Sequence, residues 1–165
     1  MRPLGLSCFI PVLLGVIGLD QYTKWLIQHF FILYESREVY AGFFNLVYYT
    51  NNGAAFSMFA GQPTLWRQVF FIGVSVAALI AILFAYRRYA RINGWYTVAL
   101  ALISGGAAGN LIDRLRLGCV VDFLDFYFGR YHWPAFNIAD SAITVGVGLF
   151  LLVSIFSDHR QGAKP

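Results

Sequence analysis

Four blocks of mostly apolar residues constrain this chain more than any other feature. They run from about Leu6 to Ile27, Arg67 to Ala85, Gly94 to Ile112 and Phe136 to Phe156. Each is close to the roughly 20 residues that a helix needs to cross a bilayer. In hydrocarbon, every backbone N–H and C=O must be satisfied inside the protein, so such a block spans as a helix. The expected fold class is an all-α membrane protein with four transmembrane helices, forming a single membrane-embedded domain over residues 1–165. Composition fits: 59% of residues are hydrophobic and 12% charged, about half the charged share of a soluble domain.

The formal net charge is +4. It comes with no basic stripe and no nucleic-acid motif, so it is read through membrane topology rather than as a DNA or RNA surface. Arg87, Arg88 and Arg91 crowd the short connection between the second and third blocks, and Arg2, Arg160 and Lys164 add to the same side. The positive-inside rule then places both termini and this connection in the cytoplasm. Arg37, Arg67, Arg114, Arg116 and Arg130 fall on the opposite side, so the short middle loop decides the orientation. No small-x-small cleavage pattern follows the first block, which is read as a retained anchor. Cys8 and Cys119 are too few for a disulfide framework.

Two outer loops are expected, at about 28–66 and 114–135. The first contains Phe43-Phe44-Asn45-Leu46-Val47-Tyr48-Tyr49, a strand-like run, and continues apolar from Gly53 to Phe59. A small sheet at the membrane surface is expected there. The second carries Phe123, Phe126, Tyr127, Phe128, Tyr131 and Trp133, which suit either an aromatic belt at the headgroups or the lip of a lipid-facing cleft.

Ionisable residues within membrane helices are costly, so they are candidates for function. They gather at one face: Asp20 and Lys24 near the end of the first helix, Asp113 and Arg114 at the end of the third, Asp122 in the following loop, and Asp140 at the start of the fourth. Asp20 and Lys24, four apart, read first as a structural ion pair. Adjacent Asp113 and Arg114 point in different directions, so each needs its own partner. Asp122 and Asp140 have apolar neighbours and no adjacent cation. They read either as two unrelated polar caps, Asp140 favoured by a helix start, or as carboxylates sharing one proton in a semi-dry site and activating water. Ser57, Ser104 and Ser141 lack an evident base, although folding could bring Lys24 to one. His132 reads as an interfacial residue able to meet a lipid headgroup. Gly105, Gly106 and Gly109 read as close helix packing.

Five blocks together resemble the lipoprotein signal peptidase (signal peptidase II) family of bacterial inner-membrane aspartic peptidases. They are Asp20-Gln21-Tyr22-Thr23-Lys24, Asn51-Asn52-Gly53-Ala54-Ala55-Phe56-Ser57, Gly105 through Arg114, Val120-Val121-Asp122-Phe123, and Pro134 through Ala142. They occur in the family's order across residues 20–142. The resemblance implies that Asp122 and Asp140 are catalytic. It implies that Asp20, Lys24, Asn51, Gly53, Asn110, Asp113, Arg114 and Asn137 shape the site or hold substrate. It also implies an extracytoplasmic β-sheet cradle built from the first outer loop. The substrate implied is a diacylglyceryl-modified prolipoprotein, cut before the lipidated cysteine at the outer, periplasmic face of the inner membrane. Membrane phospholipid is a further expected partner, with no nucleic acid, no cofactor and no metal, and a monomer is expected. One departure is Asn52, where the family commonly has Thr; both are small and polar with turn tendency.

Two other classes compete on composition. A transporter subunit would place ionisable residues at several depths, whereas here they cluster at one end. An assembly subunit would use the glycine-rich third helix for packing, but leaves the Asp122 and Asp140 blocks unexplained.

Overall fold

Each apolar block forms one long helix, and all four run past the C-terminal ends expected from sequence. In the computed structural model, which describes residues 5–53 and 64–161 (side chains to 156), the helices are α1 (Leu6–Phe30), α2 (Leu65–Tyr89), α3 (Gly94–Leu117) and α4 (Ile138–Gln161). All four are long and apolar enough to cross a membrane. Ala54 to Ser57, the apolar continuation to Phe59, and Arg2 and Lys164 lie outside the described residues.

The helix ends correct one expectation. Asp20 and Lys24 do not end α1, which continues to Phe30. Their charges are met inside the bundle, and Tyr22, Trp25 and Phe30 keep an exposed apolar face on the following turns. A charge that is neutralised internally does not mark the end of a span.

The strands β1 (Ser36–Tyr40), β2 (Phe44–Asn51), β3 (Val120–Phe128) and β4 (Tyr131–His132) form an antiparallel sheet in the order β1-β2-β3-β4. The first outer loop supplies only half of it. The second outer loop, read as an aromatic belt or the lip of a cleft, supplies β3 and β4, and Asp122 therefore sits on a strand. Its signal was Val120 to Phe128 itself, a run of β-branched and aromatic residues. Phe123 is buried, while Phe128, Tyr131 and Trp133 are exposed.

α3 is the central element, packed on α1, α2, α4 and β3. Its small residues allow this. A Cβ on Gly105 would come within 2.7 Å of the Val16 Cβ, and one on Gly146 of α4 within 2.8 Å of the Ala99 carbonyl. Gly118, with φ at 76°, caps α3 in the left-handed conformation and turns the chain into β3 two residues later. Val121, Phe123 and Ile27 form a core with Leu46 and Ile138, which locks the sheet to the end of the bundle.

Candidate functional site

A buried ion triad sits under the sheet. The Lys24 ammonium lies 2.9 Å from Asp20 Oδ2 and 2.8 Å from Asp113 Oδ2. All three side chains are at most 2% exposed. Removing such charges from water is expensive unless they are paired and their remaining valences are satisfied. Here they are. The Gln21 amide donates to Asp113 Oδ1 at 2.9 Å and also to Asp20 and to the Gly109 carbonyl.

Both carboxylates of the triad also take hold of backbone, Asp20 through its second oxygen and Asp113 through the oxygen that faces Lys24. Asp20 Oδ1 accepts from the Ala139 N–H at 2.9 Å, and Asp113 Oδ2 accepts from the Val121 N–H at 3.1 Å. Each gripped amide belongs to the residue just before a candidate carboxylate, Asp140 or Asp122. Asp20 and Lys24, four apart, do form the ion pair that their spacing suggested, and Asp20 and Asp113 hold the backbone where α4 and β3 present their carboxylates. Gly109 makes room for Asp20: a Cβ there would stand 2.5 Å from Asp20 Oδ2.

Two asparagines carry the arrangement across to those carboxylates. Lys24 Nζ donates to Asn110 Oδ1 at 2.9 Å, which turns the Asn110 amide nitrogen onto Asp140 Oδ1 at 2.8 Å. Asn137, fully buried, donates to Asp122 Oδ1 at 2.8 Å and to the Val121 carbonyl at 3.1 Å. Asn137 is also the N-cap of α4. Its side-chain oxygen accepts from the Asp140 N–H at 2.9 Å, and its own N–H donates to Asp140 Oδ2 at 3.3 Å, a reciprocal capping arrangement. Asp140 is therefore a helix cap, as one reading held. It is not unrelated to Asp122, because Asn137 holds both.

The sheet register completes the site. A bulge between Leu46 and Tyr49 shifts β2 so that Tyr49 faces Asp122 and Asn51 faces Val120. The Asn51 amide then donates to Asp122 Oδ2 at 3.2 Å, and its oxygen accepts from the Gly53 N–H at 2.8 Å. Arg114 reaches the Gly53 carbonyl at 3.1 Å and lies over the Phe71 ring. All ten residues singled out from sequence thus fall into one connected cluster. Gln21 and Ala139 were missed as site residues. Gln21 stood inside a quoted motif, whereas Ala139 acts only through its backbone and left no side-chain signal.

Asp122 is almost fully buried. Burial first, and the neighbouring charge of Asp140 second, push its carboxyl up to about 7, against the opposing pull of Asn51, Lys24 and Asn137. A carboxyl raised in this way can keep its proton toward neutral pH and serve as a hydrogen-bond donor. Lys24 is committed to Asp20, Asp113 and Asn110, and Ser141 donates to the Asn137 carbonyl. No serine–lysine pair forms among these groups. His132 bonds Asp125 while its side chain stays half exposed, and Cys8 and Cys119 are both free.

Asp140 lies between two cavities. One, about 230 Å³, is lined by Asn51, Phe71, Ser75, Asn110 and Arg114. The other, about 380 Å³ and mostly apolar, is lined by Trp133, Phe136, Ile143, Thr144 and Val145.

Fold and site together define a class: a four-helix membrane protein with two carboxylates, Asp122 buried and Asp140 half-buried, held by one asparagine beneath a β-sheet. A family model described as "Signal peptidase (SPase) II" matches residues 12–156. The chain belongs to the signal peptidase II family, and is thus a peptidase of the membrane. It is 48% identical over 156 residues to the lipoprotein signal peptidase of Desulforapulum autotrophicum, covering 94% of this chain and 95% of that one. It is 50% identical over 153 residues to that of Geobacter sulfurreducens, covering 93% and 94%. A solved bacterial membrane enzyme superposes with a TM-score of 0.87 at 33% identity, covering 99% of this chain and 97% of that one. A second solved structure gives 0.80 at 35% identity, with 92% and 95% covered.

Proposed function

We propose that this chain is an aspartic endopeptidase that removes the signal peptide from diacylglyceryl-modified prolipoproteins, cutting before the lipidated cysteine. Asp122 and Asp140 are its catalytic pair. One carboxylate takes a proton from water as the water oxygen attacks the scissile carbonyl carbon. The other acid donates its proton to the carbonyl oxygen, giving a neutral tetrahedral diol. Collapse breaks the C–N bond, with a proton returned to the leaving amine. The pair then again holds one proton. The observation that carries this reading is the sharing of Asn137 by two carboxylates, the buried Asp122 and the half-buried Asp140. Arg114 and Asn51, beside Asp140 in the smaller cavity, suit the polar backbone of a substrate segment.

The remaining assignments follow the same reading. Both termini and the arginine-rich α2–α3 connection face the cytoplasm, and the sheet and the carboxylates lie at the periplasmic side of the inner membrane. The enzyme works as a monomer. Reporters fused near Lys164 and Arg88 are expected inside and one near Arg37 outside; an external Arg88 reverses the orientation. The central test is cleavage of a lipidated precursor by the purified chain. Asp140→Asn and Asp122→Asn each lower turnover roughly 1,000-fold, and the double variant little further, because the pair acts as a unit. Substantial turnover by either folded single variant rejects the pair. Equal rates on lipidated and unlipidated precursor reject the substrate.

A further inference from the structure

At the end of the bundle away from the carboxylates, α1 and α2 both pack on α3 but hardly on each other. They leave a cavity of about 400 Å³ between them, within the range of about 300–1,000 Å³ common to ligand sites. Leu13 of α1 and Leu79 of α2 face it from either side, and the rings of Phe9 and Tyr86 bridge it with centroids 4.7 Å apart. The α1 wall is held firmly: a Cβ on Gly105 of α3 would come within 3.0 Å of the Leu13 carbonyl oxygen. Along α2 the cavity runs from Arg87 to Leu79, about 12 Å. Leu6 and Leu83 at its rim are exposed, so it opens toward the bilayer.

Two polar side chains interrupt this apolar lining. Arg87, exposed in the last turn of α2, stands at one end. Ser104 of α3, only 4% exposed, lies in the floor. Thr23, Ser75, Ser141 and Thr144 each close their hydroxyl on a carbonyl one turn back in their helix. Ser104 does not, and neither it nor Arg87 has a side-chain hydrogen bond or ion pair among the described residues. Charge at this end is one-sided. Arg88 and Arg91 are exposed beside Arg87, and apart from Asp158 every acidic residue belongs to the opposite end, with the sheet and the carboxylates.

We infer that the groove between α1 and α2 binds one anionic phospholipid from the leaflet that borders the α2–α3 connection. Its phosphate meets Arg87, and one acyl chain runs between the two helices over Ser104. A gap left empty would forfeit the dispersion contacts of its walls, and hydrocarbon is the medium it opens on. A guanidinium at the mouth with no acid facing it selects a negative headgroup. The buried Ser104 hydroxyl can donate to an ester carbonyl of the same lipid. A cation also suits the C-terminal end of a helix for its own sake, but that applies equally to Arg88, which does not line the groove. The lipid wedges α1, the carrier of Asp20 and Lys24, onto α3, so its binding stabilises the folded chain by mass action. Such a site needs no substrate and stands apart from the cleavage proposed above.

The test titrates the delipidated chain in detergent with phosphatidylglycerol, with phosphatidylcholine of the same acyl chains, and with inorganic phosphate. Native mass spectrometry is expected to show one phosphatidylglycerol retained per chain. The thermal midpoint is expected to rise by roughly 5 °C with that lipid, and not with phosphatidylcholine or phosphate. Arg87→Ala lowers the affinity for phosphatidylglycerol roughly 5-fold, whereas Arg87→Lys and Arg88→Ala stay within about 2-fold of wild type. Leu79→Trp fills the groove and removes the rise. An equal response to the two phospholipids, or an equal loss in Arg87→Ala and Arg88→Ala, overturns the headgroup assignment. The same rise with inorganic phosphate alone, or a full response in folded Leu79→Trp, overturns the placement of the acyl chain. A dimer that dissociates in Leu79→Trp assigns the groove to a second copy of the chain and overturns the lipid.

Discussion

α2 and α3 are of nearly equal length and sit side by side, yet they do opposite jobs. α2 is the more lipid-like, with mean hydropathy 2.6 against 1.3 for α3, and only 6% of its core window is buried against 56% in α3. Lipid takes up the side chains of α2, so it needs little from its neighbours beyond Phe71, on which Arg114 lies. α3 meets protein on nearly every side. It must therefore be made of glycine, alanine and polar residues whose partners stand on other elements. The helix that looks most membrane-like is the one that carries least of the site. A low-hydropathy, glycine-rich span is where chemistry can be held.

The contrast is sharpened most by Asn110→Ala. It strips Lys24 and Asp140 of the amide that joins them and leaves buried polar groups unmet, at about 2–3 kcal/mol. Turnover of lipidated precursor is expected to fall roughly 100-fold, with the chain still folded in detergent. Retention of full activity would show that α3 only packs.

Next is Gly109→Ala. Its Cβ would meet Asp20 Oδ2 at 2.5 Å, and overpacking a close helix contact costs about 2 kcal/mol. A lower thermal midpoint is expected, with activity falling in step as Ala139 loses its grip. An unchanged midpoint would mean that the triad relaxes freely.

Smaller, and pH-dependent, is the stability effect of Asp122. A free aspartate loses its proton near 3.8, while the folded chain keeps the Asp122 proton to about 7. The folded state thus binds more protons across that window, and its stability falls as pH rises from about 4 to 7. Above it the loss is complete. Asp122→Asn removes this dependence. Its thermal midpoint should exceed that of the wild type by roughly 5 °C at pH 8 and equal it near pH 4. The same proton sets the activity limb: turnover falls above about pH 7. A parallel pH dependence in both proteins would place the raised carboxyl elsewhere.

The smallest effect is expected on α2. Ile80, half exposed to lipid, becomes Ala with a stability change within about 0.5 kcal/mol and unaltered turnover. A large loss there would break the comparison, by making α2 a working surface.

Much of this protein was legible in one dimension. Four apolar blocks are enough for four helices, because a bilayer leaves backbone polar groups no other partner. The six charged residues of the site stood out because ionisable groups are costly in a membrane, and Asn51, Gly53, Asn110 and Asn137 were added by five ordered motifs that resemble one family. The glycines of α3 announced close packing by having no side chain. Other features had no one-dimensional trace. Asp20 and Lys24 looked like the end of a helix because their neutralising partner, Asp113, is remote in the chain. Val120 to Phe128 carried a strand signal, but its pairing with β2, and the bulge that sets Asn51 on Asp122, depend on two loops meeting. Asp20 and Asp113 were visible as charges, but the groups they grip are the backbone N–H of Ala139 and Val121, which no side chain marks in a sequence. Sequence determined which groups are too costly to be idle in a membrane. Only the tertiary structure decided which of them meet, because pairing a buried charge takes partners from separate elements, brought within hydrogen-bonding distance by the packing of small residues on α3.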